Sequence, residues 1–408
     1  MNILPTIRLN SAKQVNETIE SSGTTRRLLR LLRALQPVSR IDLTRHLGVN
    51  RSTVTDICKP LINAGIIREE PFAEAGRSRL QGRPPIGLTY VDTNDYFIGV
   101  NLGVRRSQVG MSTLNGNIIE EIDFITSPEP EKALAKVRLE IEKIISKVTD
   151  RTLQVIGVSV PGPTDATRSN LLYAPHLGWE NIAIADALKF GDVPVVVEND
   201  ASATTMFEAR LKMRVTASDL LTNFILVRSG TGIGVGLVLN GEVYRGAGWG
   251  KGIAGEFGHT VIMAGGKQCV CGNRGCWERY ASAAAAVPLY NGDRAQVGTS
   301  GQLNFMEIVN RAEAGEIRAR KTLGLLGEYL GIGIANVIIG VGIPHVIVSG
   351  RLVYGWQFIK EPLIEAVKKS MVGKLVDWTI ECGEPKGAVL GGALEVAIEE
   401  FLARGFNV

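Results

Sequence analysis

A disulfide framework, an uninterrupted apolar run and a leader-like amino terminus are all missing from this 408-residue sequence. Its five cysteines, three of them between Cys269 and Cys276, are too few and too clustered to staple so large a chain, so a reducing, cytoplasmic setting is expected. The most lipid-like stretch, Leu330 to Gly350, is interrupted by Asn336, Pro344 and His345, and reads as a buried helix followed by a buried strand rather than a membrane span. Asn10 to Asn16 is polar where a secretion leader would be apolar. No segment is biased enough to argue for disorder. What remains, 45% hydrophobic residues with 47 glycines, is the composition of a packed α/β protein with many tight turns. The length exceeds one ordinary core and favours a small module joined to a larger, bilobal domain.

Charge is unevenly spread. From Arg26 to Arg83 there are twelve basic against five acidic residues, an excess of seven in a chain whose net charge is only +4. A basic head on a mildly acidic body predicts that only the head meets a polyanion. Within it, Leu28, Leu31, Leu32 and Leu35 recur at helical spacing from Thr24 to Gln36, with Arg26, Arg30 and Arg33 on another face. Ser39 and Asp42 mark the start of a short helix from Arg40 to Leu47, which ends at Gly48. After the turn Gly48-Val49-Asn50, Asn50 caps a helix with Val54, Ile57, Cys58 and Leu61 inward and Arg51, Ser52, Thr55, Asp56 and Lys59 outward. Pro60 is expected to bend it before Gly65 stops it. Helix, tight turn and polar-faced helix form a helix-turn-helix, in which residues at the start of the second helix reach base edges. Arg51, Ser52, Thr53 and Thr55 are therefore the expected groove contacts, with Lys59 beside them as a further DNA contact. Ile66 to Arg68 and Ile86 to Tyr90 read as strands flanking a basic wing, where Gly82-Arg83-Pro84 offers Arg83 to a minor groove. The plain alternative is a three-helix module with solvated arginines.

The rest of the chain is duplicated. Phe97 to Gly103 and Phe224 to Gly230 each give an apolar strand and a glycine-bearing loop, followed by a hairpin at Asn115-Gly116 or Asn240-Gly241. Between them, Val155 to Val160 and Val193 to Val197 are continuous apolar strands, ending in Pro161-Gly162-Pro163 and Glu198-Asn199-Asp200. Strands of that kind lie buried, and ligands collect at their carboxyl ends, so these loops mark a cleft.

His259, Cys269, Cys271 and Cys276 follow the pattern His-x9-Cys-x-Cys-x4-Cys, with Gly272 and Gly275 easing the turns. Three thiolates and one imidazole suit a closed tetrahedral zinc site with a structural role, against the alternatives of free thiols or a redox pair.

With these motifs in hand, the chain resembles the ROK family of bacterial repressors and sugar kinases. The resemblance rests on Glu256-Phe257-Gly258-His259, the run Cys269 to Glu278, Glu198-Asn199-Asp200-Ala201 and Gly230-Thr231-Gly232-Ile233-Gly234, together with the winged helix. It implies an α/β fold of two parts. The first is a winged helix-turn-helix over residues 1–90. The second is an actin-like (ribonuclease H-like) two-lobed domain over 91–408, with lobe 1 near 91–210 plus the carboxyl-terminal helix and lobe 2 near 211–392. It also implies sugar contacts at Asn199, Asp200, Glu256, His259 and Glu278, with His259 serving zinc and sugar together. Taken without the motif, the carboxylates would read as surface or ion-pair groups, and Asn199 and Asp200 as a helix cap.

Kinases of this family hold ATP phosphates with Asp-x-Gly-Gly-Thr, where this chain has Asn101-Leu102-Gly103-Val104-Arg105. The anionic ligand for magnesium, the second glycine and the hydroxyl are gone, so no enzymatic role is expected, although Asp200, the base in related kinases, survives. Gly230 to Gly234 and Gly387 to Gly392 read either as a residual nucleotide site or as chain turns. The expected function is a sugar-responsive repressor, a homodimer or tetramer on operator DNA, without membrane association. Leu177-Gly178-Trp179 and Asn273 to Glu278 are most similar to the xylose-responsive branch, so D-xylose leads among monosaccharide effectors. His176 and its loop, or a phosphate held by Arg105 and Arg106, would change that preference. The competing expectations are an active ATP-dependent sugar kinase with an accessory DNA-binding head, and a repressor displaced by another protein.

Overall fold

The computed structural model describes residues 23–71, 86–91, 94–215, 222–246, 252–292, 303–384 and 386–404. The head holds helices α1 (Gly23–Leu35), α2 (Arg40–Leu47) and α3 (Arg51–Asn63), with strands β1 (Val38–Ser39), β2 (Ile67–Pro71) and β3 (Ile86–Tyr90) in the order β1-β3-β2. Ser39 Oγ accepts the Asp42 amide at 3.1 Å and donates to the Asp42 carboxylate at 2.6 Å, so this pair starts α2 as its spacing implied. Gly48 takes φ 64° and ends it. Asn50 occupies the cap position of α3, but its side chain makes no capping bond, contrary to expectation. Pro60 lies inside α3, which continues to Asn63. The strand β1 went unread because two residues carry no periodicity. Gly82, Arg83 and Pro84 lie outside the described residues.

Lobe 1 is built on a five-stranded sheet of order β10-β7-β4-β5-β6. Its elements in chain order are β4 (Asp95–Leu102), β5 (Arg106–Ser112), β6 (Ile118–Ile125), α4 (Pro130–Lys147), β7 (Thr152–Val160), the small pair β8 (Leu171–Ala174) and β9 (Trp179–Ile182), α5 (Ile184–Ala187) and β10 (Val195–Asn199). Helix α6 (Asp200–Val215) then crosses to lobe 2. There β11 (Phe224–Ser229), β12 (Ile233–Leu239) and β13 (Glu242–Val243) repeat the first hairpin unit. Short helices α7 (Glu278–Ala281) and α8 (Ala286–Asn291) precede α9 (Phe305–Glu313) and α10 (Ile317–Val341). Then follow β14 (His345–Gly350), α11 (Trp356–Lys369), α12 (Met371–Leu375), β15 (Thr379–Cys382) and the last helix, α13 (Ala388–Arg404).

The second sheet has the order β13-β12-β11-β14-β15, so each lobe pairs its first strand antiparallel with the next strand in sequence and parallel with a later one. The duplication seen in sequence is thus a duplication of topology. Helix α10 has the length and composition of a membrane span, yet Leu323, Leu326, Leu330, Ile334 and Val337 are buried in the lobe 2 core. The buried strand read after it is β14.

Head and body are not separate cores. Leu28, Leu29 and Leu32 of α1 belong to one continuous apolar cluster with Phe97 and Val155 of lobe 1 and Val396, Phe401 and Leu402 of α13. The basic face of α1 turns the same way. Arg33, 3% exposed, meets Glu395 of α13, 2% exposed, and Arg210 of α6 reaches the same carboxylate at 2.6 Å. The Arg33 guanidinium also donates to the Leu114 carbonyl. Gly116, at φ 71°, closes the Asn115-Gly116 turn against this triad, where a Cβ would fall 2.3 Å from Arg33 Nη2. Arg30 and Arg33 therefore belong to the junction with the body, and the head's basic excess overstates what faces solvent.

Candidate functional site

The carboxyl ends of β7 and β10 and the loop after β11 open into one cleft of about 890 Å³ between the lobes. Asn199 ends β10, and its position follows from the helix it starts. Its Oδ1 accepts the amides of Ala201 at 2.9 Å and Ser202 at 3.2 Å, capping α6. The same side chain sends Nδ2 to the Gly162 carbonyl at 3.2 Å and toward Glu256 Oε1 at 3.4 Å. Capping and site formation are one arrangement, because the cap fixes the rotamer that directs the amide.

Glu256 and His259 stand on a single 3-10 turn, Glu256–His259, entered through Gly255 at φ 98°. Burial, followed by repulsion from Asp200 and Glu278, pushes the Glu256 carboxyl up to about 7. Glu278, at the start of α7, is buried, which works against its charge, but hydrogen bonds from His176 and Cys269 and the nearby His259 hold it below the ordinary range. Asp200, Glu256, His259 and Glu278 all line the cleft with Asn199, so carboxylates, an amide and an imidazole converge on one volume. Such a set can accept from and donate to adjacent hydroxyls in pairs.

Arg228 is among the cleft residues that the sequence did not single out. Arg228, in β11, reaches Asp200 Oδ2 at 2.6 Å, leaving one carboxylate oxygen for a ligand. An arginine inside the apolar strand Phe224–Ser229 was the available signal. At the far end of the cleft, Asn101 is buried, accepts from Ser159 Oγ at 3.2 Å and faces Gln108. Its amide sits inside a protein hydrogen-bond network, and Val104 and Arg105 follow it along the wall.

Beside the cleft, one ligand atom each from His259, Cys269, Cys271 and Cys276 lies within 4.8 Å of the others, so the group could hold a metal ion. His259 Nδ1 is 3.6 Å from Cys269 Sγ, and the Cys271 and Cys276 sulfurs are 3.7 Å apart. Zinc at its usual bond lengths gives tetrahedral edges of about 3.6 Å for N to S and about 3.8 Å for S to S. Both separations fit. Gly275 makes the turn possible, with φ 83° and no room for a Cβ, which would lie 1.8 Å from the Met263 carbonyl. The ring's other nitrogen, Nε2, faces Glu256 at 3.9 Å on the cleft side.

The outer face of α3 is the second candidate surface. Arg51, Ser52, Thr55 and Lys59 are exposed and Thr53 is half-buried, while Val54, Ile57, Cys58 and Leu61 are inward.

Residues 97–394 match the model of the ROK family, about three quarters of the chain. The chain belongs to the ROK family. Residues 22–68 match a winged helix-turn-helix DNA-binding model, which places a DNA-binding fold ahead of the ROK domain. The xylose repressor of Bacillus subtilis (strain 168) is 30% identical over 315 residues, covering 76% of this chain and 77% of that protein. Among solved structures, a ROK family transcriptional regulator homologous to the E. coli MLC protein superposes with a TM-score of 0.72 at 25% identity, covering 94% of this chain and 97% of that one. A ROK glucokinase from Streptomyces griseus, in complex with glucose and AMPPNP, gives a TM-score of 0.63 at 25% identity, covering 74% of this chain and 99% of that one. The ROK domain is therefore shared by regulators and kinases, and of these two structures the regulator matches the head as well.

Proposed function

We propose that this protein is a cytoplasmic, sugar-responsive transcription repressor that binds operator DNA through its winged helix and is released when a monosaccharide occupies the cleft. The observation that carries this reading is the pairing, in one chain, of a DNA-binding head with a hydroxyl-matching cleft whose first phosphate loop is Asn101-Leu102-Gly103-Val104-Arg105. In the proposed roles, Asn199, Asp200, Glu256, His259 and Glu278 bind the sugar, and Arg51, Ser52, Thr53 and Thr55 read the major groove. Lys59 holds phosphate and Arg83 enters the minor groove. The chain divides functionally near residue 90, and a homodimer matches its two heads to a palindromic site. D-xylose is the leading effector, supported by the relatives named for it.

A zinc ion held by His259, Cys269, Cys271 and Cys276 would supply a closed structural brace rather than an open coordination position. These residues then fix the loop from His259 to Glu278, orient the imidazole toward the cleft and hold Glu278 in its wall.

Calorimetry against a monosaccharide panel tests the cleft. D-xylose or another single sugar is expected to bind stoichiometrically, and Asp200→Ala to weaken it by about 2 kcal/mol, the scale of a charged hydrogen bond. Failure of every sugar would overturn the reading. Magnesium-ATP in a coupled assay separates the kinase alternative, which predicts turnover of about one per second or faster. On DNA, Lys59→Ala is expected to reduce the slope of log affinity against log salt by about one, while Arg51→Ala relaxes sequence preference at one base pair. Fluorescence anisotropy across a salt series reads both.

A further inference from the structure

Among the described residues, the head meets the body on the lobe 1 side and on the lobe 2 side, and the contacts differ in kind. On the lobe 1 side, Leu28, Leu29 and Leu32 share a core with α13, and the Arg33–Glu395–Arg210 triad is almost wholly buried. On the lobe 2 side there is a lighter contact. Arg30 donates to the Gly241 carbonyl at 2.9 Å, in the turn that joins β12 to β13, and to both oxygens of Glu242, the first residue of β13, at 2.8 and 3.1 Å. Its Nε meanwhile reaches Glu399 of α13 at 2.6 Å. One guanidinium thus bridges the two lobes from within the head, and Glu242 is 42% exposed.

The same hairpin segment is also gripped from lobe 1, outside the cleft. Arg245, three residues beyond Glu242, pairs at 2.7 Å with Glu198, the buried neighbour of Asn199 in β10. Glu198 also faces Arg168 at 3.3 Å, and Arg168 reaches Glu400 of α13 at 3.1 Å. A shift of lobe 2 against lobe 1 cannot keep Arg245 on Glu198 and Arg30 on both Glu399 and Glu242, because two of those carboxylates ride on lobe 1 elements and the third on lobe 2.

We propose that segment 241–245 is the sensor by which the position of lobe 2 reaches the DNA-binding head, with Arg30 as the residue that reads it and the buried triad as the fixed pivot. The proposal rests on the sugar-responsive reading above for its input, but the contact it invokes is independent of any sugar. Coupling of this kind is reciprocal, so DNA must alter sugar affinity by the factor by which sugar alters DNA affinity.

The test uses the full chain with Glu242→Gln, which spares the Arg30–Glu399 pair, and Arg245→Gln. Hydrogen exchange over residues 23–35 is measured with and without saturating D-xylose, D-glucose and N-acetylglucosamine. DNA affinity is measured on a duplex selected from a random pool by the wild type. The wild type is expected to show an affinity ratio of about 5- to 150-fold between sugar-free and sugar-bound protein. In Glu242→Gln that ratio falls below about 3-fold while calorimetric sugar affinity stays within about 2-fold of wild type, and exchange in α1 rises even without sugar. Arg245→Gln lowers the ratio in the same direction. A variant ratio equal to that of the wild type, or unchanged α1 exchange, overturns the proposal. If no sugar binds the wild type, the functional reading is what fails, and sugar-free exchange in Glu242→Gln still decides whether the hairpin holds the head.

Discussion

On the proposed zinc and sugar roles, Cys276→Ala is expected to abolish metal binding and to cost at least about 100-fold in monosaccharide affinity, some 2.7 kcal/mol, while leaving the head able to bind DNA. The size follows from where the cluster sits. Cys276 is fully buried and its neighbour Trp277, also buried, donates Nε1 to the Tyr329 carbonyl at 2.9 Å, so the metal loop is seated on the lobe 2 core. From that loop His259 and Glu278 face the cleft. Without the metal, Sγ of Cys269 and Nδ1 of His259 lose their common partner, and burial favours the neutral thiol at Cys269. The head escapes because its core is continuous with lobe 1 and contains no residue of the metal loop. Metal content by mass spectrometry and calorimetry with D-xylose check the prediction. Wild-type sugar affinity in a metal-free Cys276→Ala protein would count against it, as would wild-type protein purified without a metal.

Glu395→Gln should destabilise the protein by about 3–5 kcal/mol, the penalty for removing one partner of a buried ion pair. Two guanidinium groups, Arg33 and Arg210, would lose the buried carboxylate they share. Replacing the whole triad by apolar residues of similar volume is expected to restore most of the loss, since the desolvation of all three charges disappears with them. The triad also sets an acid limit. Burial opposes the Glu395 charge, but Arg33 and Arg210 outweigh it and hold the carboxyl below its ordinary value of 4.5. A depressed folded-state value means that its stabilisation is present above about pH 4.5 and drains away as pH falls through the folded value. Wild type should therefore lose stability in acid more steeply than Glu395→Gln. Denaturant midpoints at neutral pH and below pH 4.5 measure both effects, and parallel pH profiles would contradict the pairing.

Residues close together in sequence were read correctly where one local rule governed them. The Ser39–Asp42 start, the αL glycine at Gly48, the inward face of α3 and the twin hairpins all depend on neighbours within a turn or a strand. The gathering of His259, Cys269, Cys271 and Cys276 into a group that could hold a metal was legible because the three cysteines and two turn glycines lie within eight residues, and only His259 had to be brought from outside. Asn199 was placed at the site, but its two simultaneous tasks, capping α6 and facing Glu256, were treated as alternatives.

Arg33 is the instructive miss. By periodicity it reads only as part of the basic face of an amphipathic helix, counted in the head's positive excess. It is instead paired with a residue 362 positions away. Arg228 was overlooked for the same reason, since nothing near it in sequence announces Asp200.

By itself the sequence determined the helix-turn-helix of the head, that the body carries a repeated unit, and where three cysteines and a histidine gather. These are set by backbone geometry and by spacing along the chain. Which charges are satisfied inside the molecule, and hence how the head is tied to each lobe, was decided only by the tertiary structure. Burial and counter-charge depend on segments that meet after folding, and a buried guanidinium persists only where the fold supplies its carboxylate.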